Sequence, residues 1–173
     1  MLNISLADQD IIKVQIGREP QGIAAIAVRA KNKIPVVLQM QSIVDDKPFP
    51  TLYWLCSKDV SRIIGTIETQ GWVKDIEDLI SRDSELREAF YKDHQGYVAE
   101  RESLMTEHDR KTIKQRNFTE LFKKYGIGGI SHWDKVRCLH MQYAHHLAKG
   151  NVIGQLLDNE FELYKMLDNV DLK

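Results

Sequence analysis

Residues 126–154 read GIGGISHWDKVRCLHMQYAHHLAKGNVIG, and this stretch carries most of the chemically versatile side chains of the chain. It holds four of the six histidines and one of the two cysteines. Ser131 followed by Asp134 resembles a capping box at a helix start, and Gly150 is suited to a left-handed helix stop. The spacing therefore predicts a helix over residues 132–149, around which the rest of the chain is organised.

The predicted helix would be lined with functional side chains on two faces. At about 100° per residue, one face carries Val136, Leu139, His140, Tyr143 and Leu147, and the opposite face carries Cys138, Met141 and His145. No two of its histidines lie four residues apart, which is the usual helical spacing of a metal-binding pair. A metal site would need ligands from elsewhere in the chain, and the candidates are Cys56, His94, His108 and His132.

The same side chains also have ordinary structural interpretations. His140 beside Tyr143 on an apolar face is typical of a buried histidine that makes one hydrogen bond. Cys138 is typical of a small buried hydrophobe. The pattern favours these structural roles over catalysis and leaves both open.

The composition indicates a soluble globular protein with one domain, residues 1–173. Apolar residues make up 43% of the chain and charged residues 28%. A net charge of −1 argues against nucleic acid or an anionic membrane as the partner. Asp8 and Asp10 stand where a secretion signal would be basic and then apolar, so we expect a cytoplasmic protein whose two cysteines are reduced thiols.

The first third of the chain predicts one helix and a small sheet. Ser5 begins the helix and Gly17 ends it. Three β-rich runs follow, Ile23–Ala30, Pro35–Gln41 and Phe49–Cys56. Together they predict a largely antiparallel sheet of about three strands.

After the sheet, the apolar period changes from two residues to about 3.6, which predicts helices. One helix runs from Ser57 to a stop at Gly71, and a shorter one from Trp72 to Ile80. Asn151 is the predicted cap of a final helix with Leu156, Leu157, Phe161, Tyr164 and Leu167 on its apolar side. The fold class is thus α+β and mainly helical.

Residues 83–125 predict a helical hairpin arm that projects from the main body. Their charges alternate in sign, which is typical of a solvated helix face. The turn of the hairpin is predicted at residues 109–111, and Asn117 with Glu120 is the predicted start of its last helix. Such an arm can form a homodimer or fold back on its own sheet, and the sequence favours neither.

Several motifs resemble those of a known family. They are Gly17-Arg18-Glu19-Pro20 with Gly22, the run from Pro48 to Leu55, Val136-Arg137-Cys138-Leu139-His140, Tyr143-Ala144-His145, and Gly150-Asn151-Val152-Ile153-Gly154. On these residues the chain resembles an uncharacterised bacterial family, domain of unknown function 501.

The resemblance implies no activity, because the family has none assigned. It does imply that Arg18, Tyr53, Cys138, His140 and His145 belong to a recurring set. Two positions depart from the family pattern: residues 30–33 lack a cysteine that members often carry, and Val152 replaces a common proline. The missing cysteine weakens a metal site of the general family type.

The sequence leaves three hypotheses for the function open. The leading hypothesis is a pocket for a small anionic ligand, in which Arg18 clamps the anion. Its predicted catalytic residues are His140, His145 and Cys138, and its predicted ligand-binding residues are Arg18, Tyr53, Tyr143 and Asn151. The alternatives are a non-catalytic dimeric interaction protein, in which Arg18 makes a buried ion pair, and a metal-binding hydrolase. The pattern predicts no particular cofactor and does not decide whether the protein is an enzyme.

Overall fold

The computed structural model describes residues 4–172. It has an α+β fold, mainly helical, as predicted. Its helices are α1 Leu6–Ile16, α2 Lys58–Thr69, α3 Trp72–Arg82, α4 Ser84–Leu104, α5 Glu107–Gln115, α6 Thr119–Lys124, α7 Leu139–Lys149 and α8 Val152–Phe161. Its strands are β1 Ile23–Arg29, β2 Pro35–Met40, β3 Ile43–Val44, β4 Lys47–Pro48 and β5 Tyr53–Leu55. None of the helices within residues 4–172 is both long and apolar enough to cross a membrane.

The predicted antiparallel sheet is confirmed, with strand order β1-β2-β5. In its register Leu38 of β2 lies between Ile26 of β1 and Trp54 of β5. The third strand is shorter than the predicted run Phe49–Cys56. A separate hairpin of β3 and β4 precedes it, and Pro50 cannot donate a backbone hydrogen bond to a ladder.

The sheet separates two hydrophobic cores because neighbouring side chains of a strand point to opposite faces. Tyr53 and Leu55 face the larger core, which contains α7. Trp54 faces a smaller core together with Ile12 of α1 and Leu38. Groups on the two faces of the sheet therefore cannot contact the same small ligand.

The central helix is shorter than predicted, because it begins at Leu139 and not near residue 132. Asp134 and Ser131 do not form a capping box. Carboxylates from other helices bind the backbone instead: Glu77 accepts the Val136 N–H at 2.9 Å, and Glu68 accepts the Leu139 N–H at 2.7 Å. These tertiary hydrogen bonds determine where α7 starts.

This later start changes the predicted helix faces. Cys138 occupies the cap position before α7 and is not part of its helical surface. It therefore does not share a face with His145, as the longer helix predicted. Its side chain lies instead on the same side of the structure as that of His140.

Residues 83–125 form helices as predicted, with a hairpin turn in a different place. The chain turns at Met105, because Thr106 and Asp109 form a capping box that starts α5. The predicted turn at residues 109–111 is wrong and lies inside that helix. Asn117 adopts a φ of 60° and does not cap α6.

One face of α4 lies against the body, so this part of the predicted arm does not project. Its buried side chains are Phe90, His94, Tyr97 and Arg101. The Tyr97 hydroxyl accepts the backbone N–H of Leu52, next to β5, at 2.5 Å.

The final helix is capped by the Asn151 side chain as predicted, and it ends earlier. Glu162 adopts a left-handed conformation with φ 51°, after which the chain continues as a short 3₁₀ helix, Leu163–Asp168. Tyr164 was predicted on the apolar side of the helix, yet it is 48% exposed because the helix has already ended.

Arg101 joins α4 to the rest of the molecule through backbone carbonyls. Its Nη1 donates to the Pro50 carbonyl at 2.6 Å, and its Nη2 donates to the carbonyls of Phe122 and Tyr125. The latter two lie at the C-terminal end of α6, where the helix dipole is negative. The guanidinium also lies 5.4 Å from the centroid of the Tyr97 ring.

We expect Arg101→Met to lower the free energy of unfolding by about 3 kcal/mol, because one buried and two partly buried carbonyls lose their donor. The measurement is urea denaturation followed by circular dichroism. Arg62→Met, at an exposed site on α2, is the matched control and should change stability by less than about 0.5 kcal/mol. Equal stability of the two variants would contradict the role given to Arg101.

Candidate functional site

Three side chains with metal-ligand chemistry meet where the end of α2 faces the start of α7. They are Glu68 of α2, Cys138 at the cap position and His140 in the first turn of α7. All three are partly buried, and their ligand atoms lie within 4.8 Å of one another. This is the one such group within residues 4–172, and we call it the Glu68–Cys138–His140 cluster.

The ring of His140 is held in one orientation by both of its nitrogens. Nε2 lies 3.1 Å from the carbonyl oxygen of Ser61, which can only accept a hydrogen bond, so Nε2 carries a proton. Nδ1 faces the cluster, 3.3 Å from Oε1 of Glu68 and 3.9 Å from Sγ of Cys138. When the ring is in its neutral form, Nδ1 therefore presents a lone pair at the centre of the cluster.

The cluster attracts positive charge. Contact with the Cys138 side chain and the negative charge of Glu68 raise the pKa of His140 to about 9, against the opposing effect of burial. At neutral pH the position between the three groups therefore binds a proton. A metal cation would occupy the same position in place of that proton.

The spacing of the donor atoms is close to that of a tetrahedral zinc site. Around zinc, nitrogen and oxygen ligands lie about 3.3 Å apart, and sulfur and nitrogen ligands about 3.6 Å apart. The corresponding separations here are 3.3 Å between Nδ1 and Oε1 and 3.9 Å between Sγ and Nδ1. These two separations lie within a few tenths of an ångström of the ideal values, and all three ligand atoms lie within 4.8 Å of one another.

An unusual backbone conformation places Cys138. Arg137, directly before it, has φ 57°, a left-handed conformation that costs a non-glycine residue free energy. The N–H of Cys138 donates to the Val136 carbonyl at 2.8 Å, which tightens this turn. The turn directs the cysteine towards His140, two residues later.

A second set of predicted residues meets at the far end of α7. The ring of His145 stacks on that of Tyr53, with centroids 6.1 Å apart, and lies edge-on to Tyr97 at 5.2 Å. The Tyr53 hydroxyl donates to Glu100 at 2.9 Å, and Lys149 pairs with the same carboxylate oxygen at 2.6 Å. Glu100 and Lys149 therefore neutralise each other beside the histidine.

Asn151 determines which nitrogen of His145 carries the proton. Its Oδ1 accepts the N–H of Gly154 at 2.7 Å, and its Nδ2 donates to the Gln142 carbonyl at 2.8 Å. The same Nδ2 lies 3.0 Å from Nδ1 of His145, which must then accept. Burial lowers the pKa of His145 to about 4, so the ring is neutral at physiological pH with its proton on Nε2.

The other predicted metal ligands do not come together. Cys56 is buried in the smaller core, and burial raises its pKa to about 12. His94 is buried against Phe90 and accepts the backbone N–H of Ile127, while His108 and His132 are exposed.

The predicted anion pocket is divided between separate places. Arg18 lies over the ring of Trp54, on the opposite face of the sheet from Tyr53 and His145. Tyr143 donates to Asp158 at 2.8 Å and so connects α7 to α8. The structure thus brings Cys138 together with His140, and Tyr53 with His145 and Asn151, but it does not bring Arg18 to either group.

Sequence reasoning missed Glu68 and Arg101. Glu68 lies in the last turn of a helix whose other charged residues are solvated, and nothing in its spacing connects it to a cysteine 70 residues later. Arg101 belongs to a run of alternating charges that predicts exposure. Only the packing of α2 against α7 and of α4 against α6 reveals these roles.

A family model described as "Protein of unknown function (DUF501)" matches residues 26–159. The chain belongs to this family. The matched range begins within β1 and ends within α8, so it contains the Glu68–Cys138–His140 cluster, whereas Arg18 precedes it. Neither the curated proteins nor the solved structures include a significant match.

Two buried histidines predict how stability changes with pH. Burial lowers the pKa of both His94 and His145 to about 4, from an ordinary value of 6.5. Between these values the unfolded chain binds protons that the folded chain does not, so stability falls as the pH falls below about 6.5. Each histidine should contribute a loss on the order of 2 kcal/mol between pH 7.5 and pH 5.

Urea denaturation at the two pH values measures this effect. His94→Asn keeps an acceptor for the Ile127 N–H and should reduce the pH-dependent loss by on the order of 2 kcal/mol. His108→Asn, at an exposed site on α5, should retain the whole loss. An unchanged pH dependence in His94→Asn would contradict the assignment.

Proposed function

We propose that the protein binds one zinc-class divalent metal ion through Glu68, Cys138 and His140. The convergence of a sulfur, a nitrogen and an oxygen donor on one point carries this proposal. The supporting hydrogen bonds are those typical of metal sites, because His140 donates its other N–H to a backbone carbonyl.

The geometry favours a metal over a cysteine nucleophile with a histidine base. In such a catalytic triad the acidic residue binds the ring nitrogen opposite the one that faces the nucleophile. Here Glu68 and Cys138 both approach Nδ1, and the opposite nitrogen binds the Ser61 carbonyl. Glu68 therefore competes with the thiol for the same ring nitrogen, an arrangement that favours chelation of a cation over abstraction of the thiol proton.

A simple ion pair between Glu68 and His140 explains less of the structure. It accounts for their 3.3 Å contact, but it does not require the adjacent thiol or the left-handed backbone at Arg137 that directs the thiol inwards. A three-ligand metal site accounts for all of these features together.

Metal binding predicts a spectroscopic signature that depends on Cys138. Reduced protein should bind one Co²⁺ ion with thiolate-to-cobalt charge-transfer absorbance, and Zn²⁺ should displace the ion. Cys138→Ser should abolish that absorbance, and His140→Gln and Glu68→Gln should weaken binding about tenfold or more. Elemental analysis of the protein as purified provides a second measurement.

Cys56→Ala is the matched control, because this cysteine is buried in the other core. The variant should retain the absorbance and the affinity. If Cys138→Ser binds Co²⁺ with the same spectrum as the unaltered protein, or if the reduced protein binds neither ion, the metal assignment is wrong.

The reaction class we propose for this site is metal-assisted hydrolysis. The side chains of Glu68 and His140 are 27% and 26% exposed, so a fourth coordination position would face solvent. A metal with three protein ligands and an open position lowers the pKa of a bound water and makes it a nucleophile.

This proposal predicts that the zinc-loaded protein cleaves an activated ester such as p-nitrophenyl acetate faster than the metal-free protein does. Cys138→Ser should lose the metal-dependent rate, and Cys56→Ala should retain it. Absorbance of released p-nitrophenolate measures the rate. If the protein binds one metal ion but shows no metal-dependent rate, the metal-binding proposal stands and the hydrolytic proposal is wrong.

The other two hypotheses make different predictions for the same samples. A pocket that joins Arg18 to Cys138 and His140 would need these groups on one side of the sheet, and they lie on opposite sides. A non-catalytic homodimer would show self-association that is independent of added metal. Sedimentation of the purified protein with and without Zn²⁺ separates this alternative from the metal-binding proposal.

A further inference from the structure

A small apolar cavity lies on the α1 side of the sheet, away from the Glu68–Cys138–His140 cluster. Its volume is about 100 Å³. It is lined mainly by Ile16, Ile23, Leu38, Met40, Phe49 and Trp54. Phe49 and Trp54 stack with centroids 5.7 Å apart and an angle of 9° between ring planes, so aromatic carbon forms part of the cavity lining.

Arg18 lies at this cavity and provides its positive charge. Its guanidinium carbon is 5.5 Å from the centroid of the Trp54 ring, which orients the group by a cation–π contact. Within residues 4–172 it has no carboxylate or carbonyl partner. The neighbouring Glu19 pairs with Lys13 instead.

Two of the other exposed arginines are paired with acids, whereas others, such as Arg62 and Arg137, have no ion-pair partner within residues 4–172. Arg29 pairs with Asp8 at 2.7 Å, and Arg116 pairs with Asp46 at 3.0 Å. Arg18 differs from these in its place: it lies beside an apolar cavity, and within residues 4–172 its donor fork has no carboxylate partner. A fork of this kind matches a carboxylate, with two parallel hydrogen bonds.

The cavity volume limits the apolar part of a ligand. A cavity of roughly 150 Å³ holds benzene, so about 100 Å³ fits a smaller group such as a branched aliphatic chain of about four carbons. The lining offers dispersion contacts and aromatic carbon, and the charge lies at the edge of the cavity. A ligand that fits both features has a short aliphatic body and one carboxylate.

We propose that this cavity binds a small aliphatic carboxylate, with its hydrocarbon part between α1 and the sheet and its carboxylate on Arg18. This site is independent of the proposed metal site, because the sheet separates the two. It also differs from the anion pocket expected from the sequence, since no histidine or cysteine takes part.

Titration with isovalerate, monitored by ¹H–¹⁵N NMR, tests the proposal. The indole N–H of Trp54 should shift saturably, with a dissociation constant on the order of 1 mM for so small a ligand. The indole N–H groups of Trp72 and Trp133 are internal controls, because they donate to Glu160 and to the Lys124 carbonyl elsewhere.

The carboxylate and the arginine are tested separately. Arg18→Gln should weaken isovalerate binding about tenfold or more and leave the binding of the neutral 3-methylbutanamide within about twofold. Arg62→Gln, an exposed arginine on α2, should bind isovalerate as the unaltered protein does. Because Arg18 is exposed, its replacement should leave the melting temperature unchanged, which shows that lost binding is not unfolding.

Three outcomes would overturn the proposal. The first is the absence of a saturable shift at Trp54 with isovalerate. The second is equal isovalerate affinity in the unaltered protein and in Arg18→Gln. The third is binding of a leucine-terminated peptide more than about tenfold tighter than isovalerate, which would assign the cavity to a protein C-terminus.

Discussion

The packing of α7 against β5 determines the position of every candidate group on the larger-core side of the sheet. Leu139, Tyr143 and Ala144 of α7 are completely buried in the larger core. Burial of a large apolar side chain contributes on the order of 2 kcal/mol, so Leu139 and Tyr143 hold the helix firmly. Because its axis and rotation are set by this contact, the start of α7 presents His140 to α2, and its end presents His145 to β5 and α4.

Several strongly polar groups lie in the same interior, where each costs desolvation free energy unless it is hydrogen-bonded. Arg101 is 1% exposed, and its guanidinium is compensated by carbonyls and not by a carboxylate. Within residues 4–172, Nε2 of His94 and both side-chain polar atoms of Gln142 have no hydrogen-bond partner. Buried groups of this kind are costly, and the protein retains them beside the helices that carry its candidate sites.

Packing alone does not explain why the side chains of the Glu68–Cys138–His140 cluster converge on one point. Its three groups favour a cation at one point, and a proton or a metal ion can take that position. The helices that provide them are held by other contacts, so the donors are preorganised before any ion arrives. On the opposite face of the sheet, the guanidinium of Arg18 has no ion-pair partner within residues 4–172, and it has the reverse preference and favours an anion. The sheet lies between these two electrostatic environments.

The sequence predicts the secondary structure of this protein well where that structure depends on neighbouring residues. The helix from Ser5 to Gly17, the three strands and the cap at Asn151 depend on neighbouring residues, through side-chain caps and alternation, and the sequence predicted them. The start of α7 depends instead on Glu68 and Glu77, which are distant in sequence, and the local capping pattern at Ser131 predicted it wrongly. The sequence also identified Cys138, His140, His145 and Arg18 as the chemically notable residues. Only the tertiary structure decided that Glu68 joins the first two and that the sheet keeps Arg18 apart, because these relations depend on which faces pack together and not on spacing along the chain.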